Sequence, residues 1–573
     1  MKRLFLFLAV LFLVGGSGYL LTRHLEPEVA LTEYVPADSL AVLEWRDPAG
    51  ALSRFRATRV GRCLEEIDWV GVMRGLGMPG ERINGVRQRL AVLNGVVSSP
   101  LFSGLFGGSV VAALLARRPD GDSDSGPSGG REEVVLLARP GQRGVAAVLV
   151  RTLRARGMAV RAGAYQGTEL YRLRADLSPV PLYLAVRNNL LLIAPAIAPV
   201  RRCLDLVLAR LVRPGTGMGT NRIYRRLKRR ARGLDDFFLY LDVAAVKSAL
   251  AARGTALPAE KPRDTAALPP AAKGVRTAVF FHQPFNDVHQ FTSIVEFVSG
   301  HLTPFQATIY SRPPMENRRI VNMPANLLVY FWTNWLDLPG WWHSTLRRSR
   351  GRERETARRF AAWVERITGR DMDSALAMFG QEFGFNVVEI ITSGFFPVPR
   401  ICLCVEMAEP AAIRSVIEKL LRDVPVRQEM IRGVPVVSVM MAGGLMQPSY
   451  ALLDRYLVIS DGRDQIEAIL QPSGAMLLDD PDFRKVDMGL LQVNNMVAFA
   501  RTAELIDGME ELSSWLGTIV AIRDEGSAAG SKVLIDEVVL PLLESMRMFR
   551  AVGVRSYTAP GELVLRSAVL VEQ

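Results

Sequence analysis

The feature that most narrows the fold of this chain is that it repeats itself. Val35-Pro-Ala-Asp-Ser-Leu-Ala-Val-Leu43 has a counterpart in Met323-Pro-Ala-Asn-Leu-Leu-Val-Tyr-Phe331. Leu105-Phe-Gly107 is echoed by Met378-Phe-Gly380, and Tyr165-Gln-Gly-Thr168 by Ile431-Arg-Gly-Val434. The run from Tyr183 to Leu192 aligns without a gap onto Tyr450 to Ile459, and Asp236–Asp242 resembles Asn495–Arg501. These matches keep their order along the chain. They predict two related halves, 32–298 and 320–572, with a join at 299–319 that carries Pro304, Pro313 and Pro314.

Within each half the rhythm is strand, helix, strands, helix, strands. Several consecutive apolar runs are separated only by short polar turns such as Asn188-Asn189 and Asp454-Arg455. That pattern predicts an α+β class: two tandem duplicated units of mostly antiparallel sheet with helices packed on one face. Two inserts, Arg117–Gly130 and Ala251–Gly274, are rich in Gly, Pro, Ala and charge and read as surface excursions.

The start of the chain gives an address. Lys2 and Arg3 precede an uncharged stretch from Leu4 to Leu21 that is just long enough to cross hydrocarbon. Residues 1–24 are therefore expected to be a retained signal anchor, with Leu4, Phe5, Leu8, Leu11, Phe12 and Leu13 in the bilayer. The leading cations put the start in the cytoplasm and the body outside. The expected location is the bacterial inner membrane, single-pass, with the body in the periplasm. The balance of 70 Lys plus Arg against 58 Asp plus Glu, a formal charge of +12, favours acidic partners. The exported address excludes nucleic acid and leaves the membrane itself, a lipid or an envelope protein.

An opening Val-Pro-Ala-Asp strand after an N-terminal anchor, followed by the Phe-Gly strand, resembles a broad group of uncharacterised exported bacterial proteins, here in tandem duplicate. The resemblance implies an envelope location and brings no residue role with it.

Catalytic and metal-binding patterns fail when tested one by one. Gly215-Thr-Gly-Met-Gly-Thr220 lacks the Lys-Ser/Thr ending of a phosphate loop. Asp120, Asp122 and Asp124 alternate like calcium ligands, but Ser125 stands where glycine is needed and Arg131 where a bidentate glutamate is needed. Cys63, Cys203, Cys402 and Cys404 read as small apolar core residues rather than as a zinc set. His282 and His289 could face one another across the turn at Phe285-Asn286, with Asp287 as the nearest third ligand, which is short of a metal site. The adjacent acids Asp235-Asp236 and Asp479-Asp480 would diverge rather than converge. No catalytic residue, metal or cofactor is predicted.

Two cationic stretches point instead to a surface. Arg222–Arg232 is basic, with Ile223, Leu227 and Ala231 at helical spacing, and presents Arg225, Arg226, Arg229 and Arg230. Trp341 and Trp342 precede Arg347 and Arg348, a combination suited to a membrane interface or another anionic surface. The expected function is a membrane-anchored periplasmic binding or scaffold protein without catalytic activity, its ligand a partner protein or a lipid held against an apolar sheet face. The alternative is an envelope hydrolase acting on glycan or peptide.

Overall fold

The computed structural model describes residues 29–116, 133–174, 181–209, 217–233, 235–254, 273–391, 398–441, 447–471, 474–523 and 525–572. The expected anchor at 1–24, the Asp120–Asp124 loop and residues 255–272 of the second insert lie outside them. Among the described residues, no helix is long and apolar enough to cross a membrane.

The described chain mixes helices with mostly antiparallel sheet, as the alternating apolar runs predict. The strands of the first half are β1 (Ala41–Arg46), β2 (Ser109–Leu115), β3 (Glu133–Arg139), β4 (Ala159–Tyr165) and β5 (Thr168–Leu173). They continue with β6 (Tyr183–Arg187), β7 (Leu190–Ala194), β8 (Phe237–Asp242), β9 (Val275–Phe285) and β10 (Val288–Phe297). After the short β11 (Met315–Glu316) come β12 (Val329–Thr333), β13 (Phe379–Ile391), β14 (Val398–Met407), β15 (Val426–Ile431) and β16 (Val434–Val439). The last are β17 (Ser449–Leu452), β18 (Tyr456–Ser460), β19 (Val493–Asn494), β20 (Met496–Arg501), β21 (Phe549–Ala559) and β22 (Glu562–Val571).

The chain divides into two compact units, one of Met1–Ser39 with Gly108–Arg226, the other of Leu40–Gly107 with Leu227–Gln573. In the first, the strands run β4-β5-β6-β7-β3-β2, every pair antiparallel. The helix Ile197–Ala209 buries Val200, Cys203, Leu204 and Val207, one stripe of its surface. Arg202, on the same helix, reaches Asp38 at 3.0 Å, Glu133 at 2.9 Å and the Ala116 carbonyl at 2.7 Å.

The second unit holds a longer antiparallel sheet, ordered β15-β16-β17-β18-β14-β13-β12-β20-β21-β22-β10-β9-β8-β1. Its run β15 to β13 has the same order as β4 to β2 in the first unit, and β12-β20-β21-β22 has the same order as β1-β8-β9-β10. The first sequence half thus contributes to both compact units.

Local chemistry explains why the hairpins recur. Gln166-Gly167 and Arg432-Gly433, at matching points of the repeat, are two-residue turns with positive φ at both residues, 46° and 77° in one, 50° and 78° in the other. This turn's twist matches that of the strands it joins, and glycine takes its second position at no steric cost.

The main core of the second unit lies on one face of β12, β20, β21, β22 and β10. Trp332, Phe499, Val497, Ala551, Ala568 and Leu570 meet Phe483 and Val486 from the short helix Pro481–Val486. Helices do not keep to that face everywhere, contrary to the single helical layer expected. Around β14 to β18, the helix Arg463–Leu470 packs through Ile466 beside Cys402, Cys404 and Val458. The helix Pro410–Leu420 packs through Ile413 beside Leu457, Tyr450 and Leu452, which point the other way. These strands carry apolar residues on both sides, and each side is covered by a helix.

Phe483 is 1% exposed and its ring centre lies 5.3 Å from that of Phe499. Phe483→Ala should cost about 3–5 kcal/mol, seen as a fall in the urea midpoint of the second unit's unfolding.

Candidate functional site

An antiparallel sheet with one buried face ordinarily turns polar side chains to water on the other. The long sheet does not. Following the register across the outward face gives the row Trp45, Phe237, His282, Phe291, Ser567, Val554, Ala498, Phe331, Phe385, Leu403, Ile459, Tyr450 and Val437. Only His282, Ser567 and the Tyr450 hydroxyl are polar. At roughly 4.8 Å per strand the row runs for on the order of 60 Å along the sheet. One row over lie Leu43, Leu239, Phe280, Ser293 and Leu565.

The Tyr450 end is covered by the helix Pro410–Leu420. Elsewhere the face is exposed at points, Trp45 36%, Phe280 37% and Leu565 39%, although β9 and β22 are interior strands, and half-buried along most of the rest of the row. Aromatic rings form a ladder across β1, β8, β9 and β10. Trp45 meets Phe237, Phe237 meets Phe280, and Phe280 stacks on Phe291, each step 5.9 Å between ring centres. A second cluster of Phe331, Phe383 and Phe385 sits on β12 and β13, with Phe331 and Phe385 5.4 Å apart.

The ladder ends in a polar chain. His282 lies 4.6 Å from Phe291, its Nδ1 is 2.6 Å from Asp236 Oδ1, and its Nε2 is 2.9 Å from His289 Nδ1. The two imidazoles are nearly parallel, 6° apart. In the tautomer whose Nδ1–H donates to the Asp236 carboxylate, His282 Nε2 accepts a hydrogen bond from His289 Nδ1–H, which leaves His289 Nε2 as an acceptor. The His282–His289 approach is the one read from the hairpin; the third member differs. Asp287 is held 2.5 Å from Lys485, which pulls its carboxyl below the ordinary value, and Asp236 takes its place. Among the described residues no group of three or more His, Cys, Asp or Glu could hold a metal ion.

The paired acids do diverge. Asp235 is 2.6 Å from Lys228 while Asp236 turns to His282. Asp480 caps the helix Pro481–Val486 and binds Arg501 at 2.6 Å, while Asp479 meets Arg484 at 3.1 Å. Cys203, Cys402 and Cys404 are buried thiols, and burial pushes Cys203 and Cys402 up to about 12.

The basic stretches form helices at Arg222–Arg230, Leu338–Arg348 and Gly351–Thr368. On the first, Tyr224 and Leu227 are buried with Ala231 beyond its end, and Arg225, Arg226 and Arg229 are exposed. Arg230 is committed to Glu562, and Lys228 to Asp235 and Glu44. On the second, Trp341 is 53% exposed whereas Trp342 is only 6%, and Arg347 and Arg348 face solvent. Sequence reading missed Phe360 and Trp363 on the third helix, 47% and 48% exposed. Their spacing of three was visible, but not that no core would cover them.

Burial, and secondarily the neighbouring His282, hold the His289 imidazole below its ordinary 6.5, with Asp236 opposing. A base with a lowered folded value is stabilising in its neutral form. Its contribution is complete above about 6.5 and is lost as pH falls below that value. Thermal melts should therefore show stability dropping from pH 7 to pH 5, and His289→Leu should flatten that slope.

No protein-family model and no curated protein matches the chain. Among solved structures, crystal form IV of TP0453 is similar at 12% identity and a TM-score of 0.25, covering 50% of this chain and 85% of that one. Crystal form III of the same protein gives 11% identity and a TM-score of 0.25, covering 47% and 80%. Likeness at that level carries no argument about fold or function.

Proposed function

We propose that this protein is a membrane-tethered, non-catalytic binding protein of the bacterial envelope that holds the acyl chains of a lipid along the outward face of its long sheet. In this reading residues 4–21 form the inner-membrane anchor, and the body is a tandem duplication in the periplasm. One observation carries the ligand class: the solvent-facing aromatic and aliphatic row, 36–39% exposed at Trp45, Phe280 and Leu565. Apolar surface of this extent left in water is unfavourable by about 25 cal/mol per Å², and patches of this kind mark binding surfaces.

An acyl chain suits the face better than a protein does. The backbone groups of interior strands are already paired, so an added strand has nothing to bind, and the row offers a partner protein few hydrogen-bond groups. A methylene chain needs only dispersion and burial. Asp236, His282 and His289 supply a polar point where a head group can be met.

The same three residues favour a second reading, the envelope hydrolase, with His289 Nε2 as base. That reading requires His289→Leu to abolish turnover of glycan or peptide while leaving lipid binding unchanged.

The lipid reading is tested with the purified full chain, by solvent extraction and mass spectrometry of bound lipid and by titration with a fluorescently labelled phospholipid. Phe280→Asp and Leu565→Asp should each weaken binding tenfold or more, since one buried apolar side chain contributes about 1.5–3 kcal/mol. Phe280→Asp also loses its ring contacts with Phe237 and Phe291 and should lower thermal stability modestly, by about 1–2 kcal/mol, so melts of both variants check that they remain folded at the titration temperature. Absence of bound lipid, together with unaltered titration by both variants, would remove the proposal.

A further inference from the structure

Gly351–Thr368 is an 18-residue helix without a single buried residue. A helix of that length normally derives its stability from packing one face, and this one packs only lightly, through Val364, on the cluster around Ile413 and Met407. Its two aromatic residues are displayed. Phe360 and Trp363 stack 5.7 Å apart at 24°, nearly half exposed, and Phe360 also meets Trp342 of the preceding helix at 6.3 Å. Trp341 adds a third large exposed ring.

At 100° per residue, Phe360, Trp363 and Ile367 project from one side of the helix. Arg352, Arg359 and Arg366 border them: Trp363 lies four residues after Arg359 and three before Arg366, the spacings at which helical side chains are neighbours. Arg347 and Arg348 extend the cationic margin on the other helix, both exposed. Among these arginines Arg359 pairs with Glu355 at 3.2 Å, itself open to solvent.

We infer that the helix pair Leu338–Arg348 and Gly351–Thr368 docks on an anionic lipid bilayer, with Trp341, Phe360 and Trp363 at head-group depth and the arginines on lipid phosphates. The charge complementarity selects the occupant. An acidic protein would satisfy the arginines but gain little from isolated indoles edged by cations, whereas the interface favours indole and guanidinium side by side. The inference is independent of the sheet face and of what that face binds.

The test uses the full chain held in phosphatidylcholine nanodiscs, so that any anchor is already satisfied, titrated with vesicles of brominated phosphatidylglycerol or brominated phosphatidylcholine. Contact is read as quenching of tryptophan emission. The anionic vesicles should quench and the zwitterionic ones should not, and added salt should weaken the effect. Each of Arg352→Gln and Arg366→Gln should raise the half-saturating lipid concentration about fivefold, and the double variant Trp341→Phe, Trp363→Phe should remove most of the quenching. Both sites are exposed, so unchanged melting would show the variants folded. Equal quenching by both lipids, no quenching by either, or quenching indifferent to all these variants would overturn the inference; in the last two cases an acidic macromolecule becomes the better occupant.

Discussion

The pairing of β10 with β22 is the constraint on which the long sheet depends. Their register runs unbroken from Val288↔Leu570 to Glu296↔Glu562 and joins the strand set β1-β8-β9-β10 to the set β12-β20-β21-β22. Side chains alternate with a period of two, so a slip by one residue would exchange faces on one side of the join. The correct register buries Val288, Ile294, Val564, Ala568 and Leu570. A polar contact fixes the same alignment, the Val571 amide donating to the Asp287 carbonyl at 2.8 Å; on the other side of β10, the Thr277 hydroxyl of β9 donates to buried Glu296 at 2.5 Å. With the join in place, outward-pointing apolar residues from both sets fall into one row. Neither set alone would make a track of that length.

Much of this was legible from residues, and the rest was not for a definable reason. Matching Tyr165-Gln-Gly-Thr168 and Ile431-Arg-Gly-Val434 showed that this stretch recurs, but not that each is a two-residue turn, because Gln166 and Arg432 are not residues that ordinarily take positive φ. Alternation within a strand showed that Phe237 shares a face with Leu239, and Phe280 with His282. What no single strand reveals is which residue of another strand lies beside it. Trp45, Phe237, Phe280 and Phe291 span nearly the whole first half, and only the register makes them neighbours. The histidine pair was legible because seven residues and a tight turn separate its members. Asp236 was not, being forty-six residues from His282. On the basic helix the apolar stripe was read as Ile223, Leu227 and Ala231, while burial selects Tyr224, Leu227 and Ala231; the tyrosine ring reaches further into the core than isoleucine from a neighbouring angle.

A broad apolar face is a hazard, and the molecule's handling of it bears on what the face is for. Aggregation through sheets usually begins at edge strands, whose unpaired backbone groups template another chain. Apart from Trp45 on the terminal strand β1, the rings of the ladder, Phe237, Phe280 and Phe291, sit on interior strands with paired backbones, so that part of the patch can attract greasy matter without offering a hydrogen-bonding template. The titratable groups at the ladder meet at one point, where Asp236 orders His282 and His282 orders His289. A surface meant only to be hidden in a permanent protein interface would gain nothing from a titratable chain at its edge, because burying it would cost desolvation. On the proposed lipid reading both ends have a use: an acyl chain would cover the rings while its head group met the imidazoles and water.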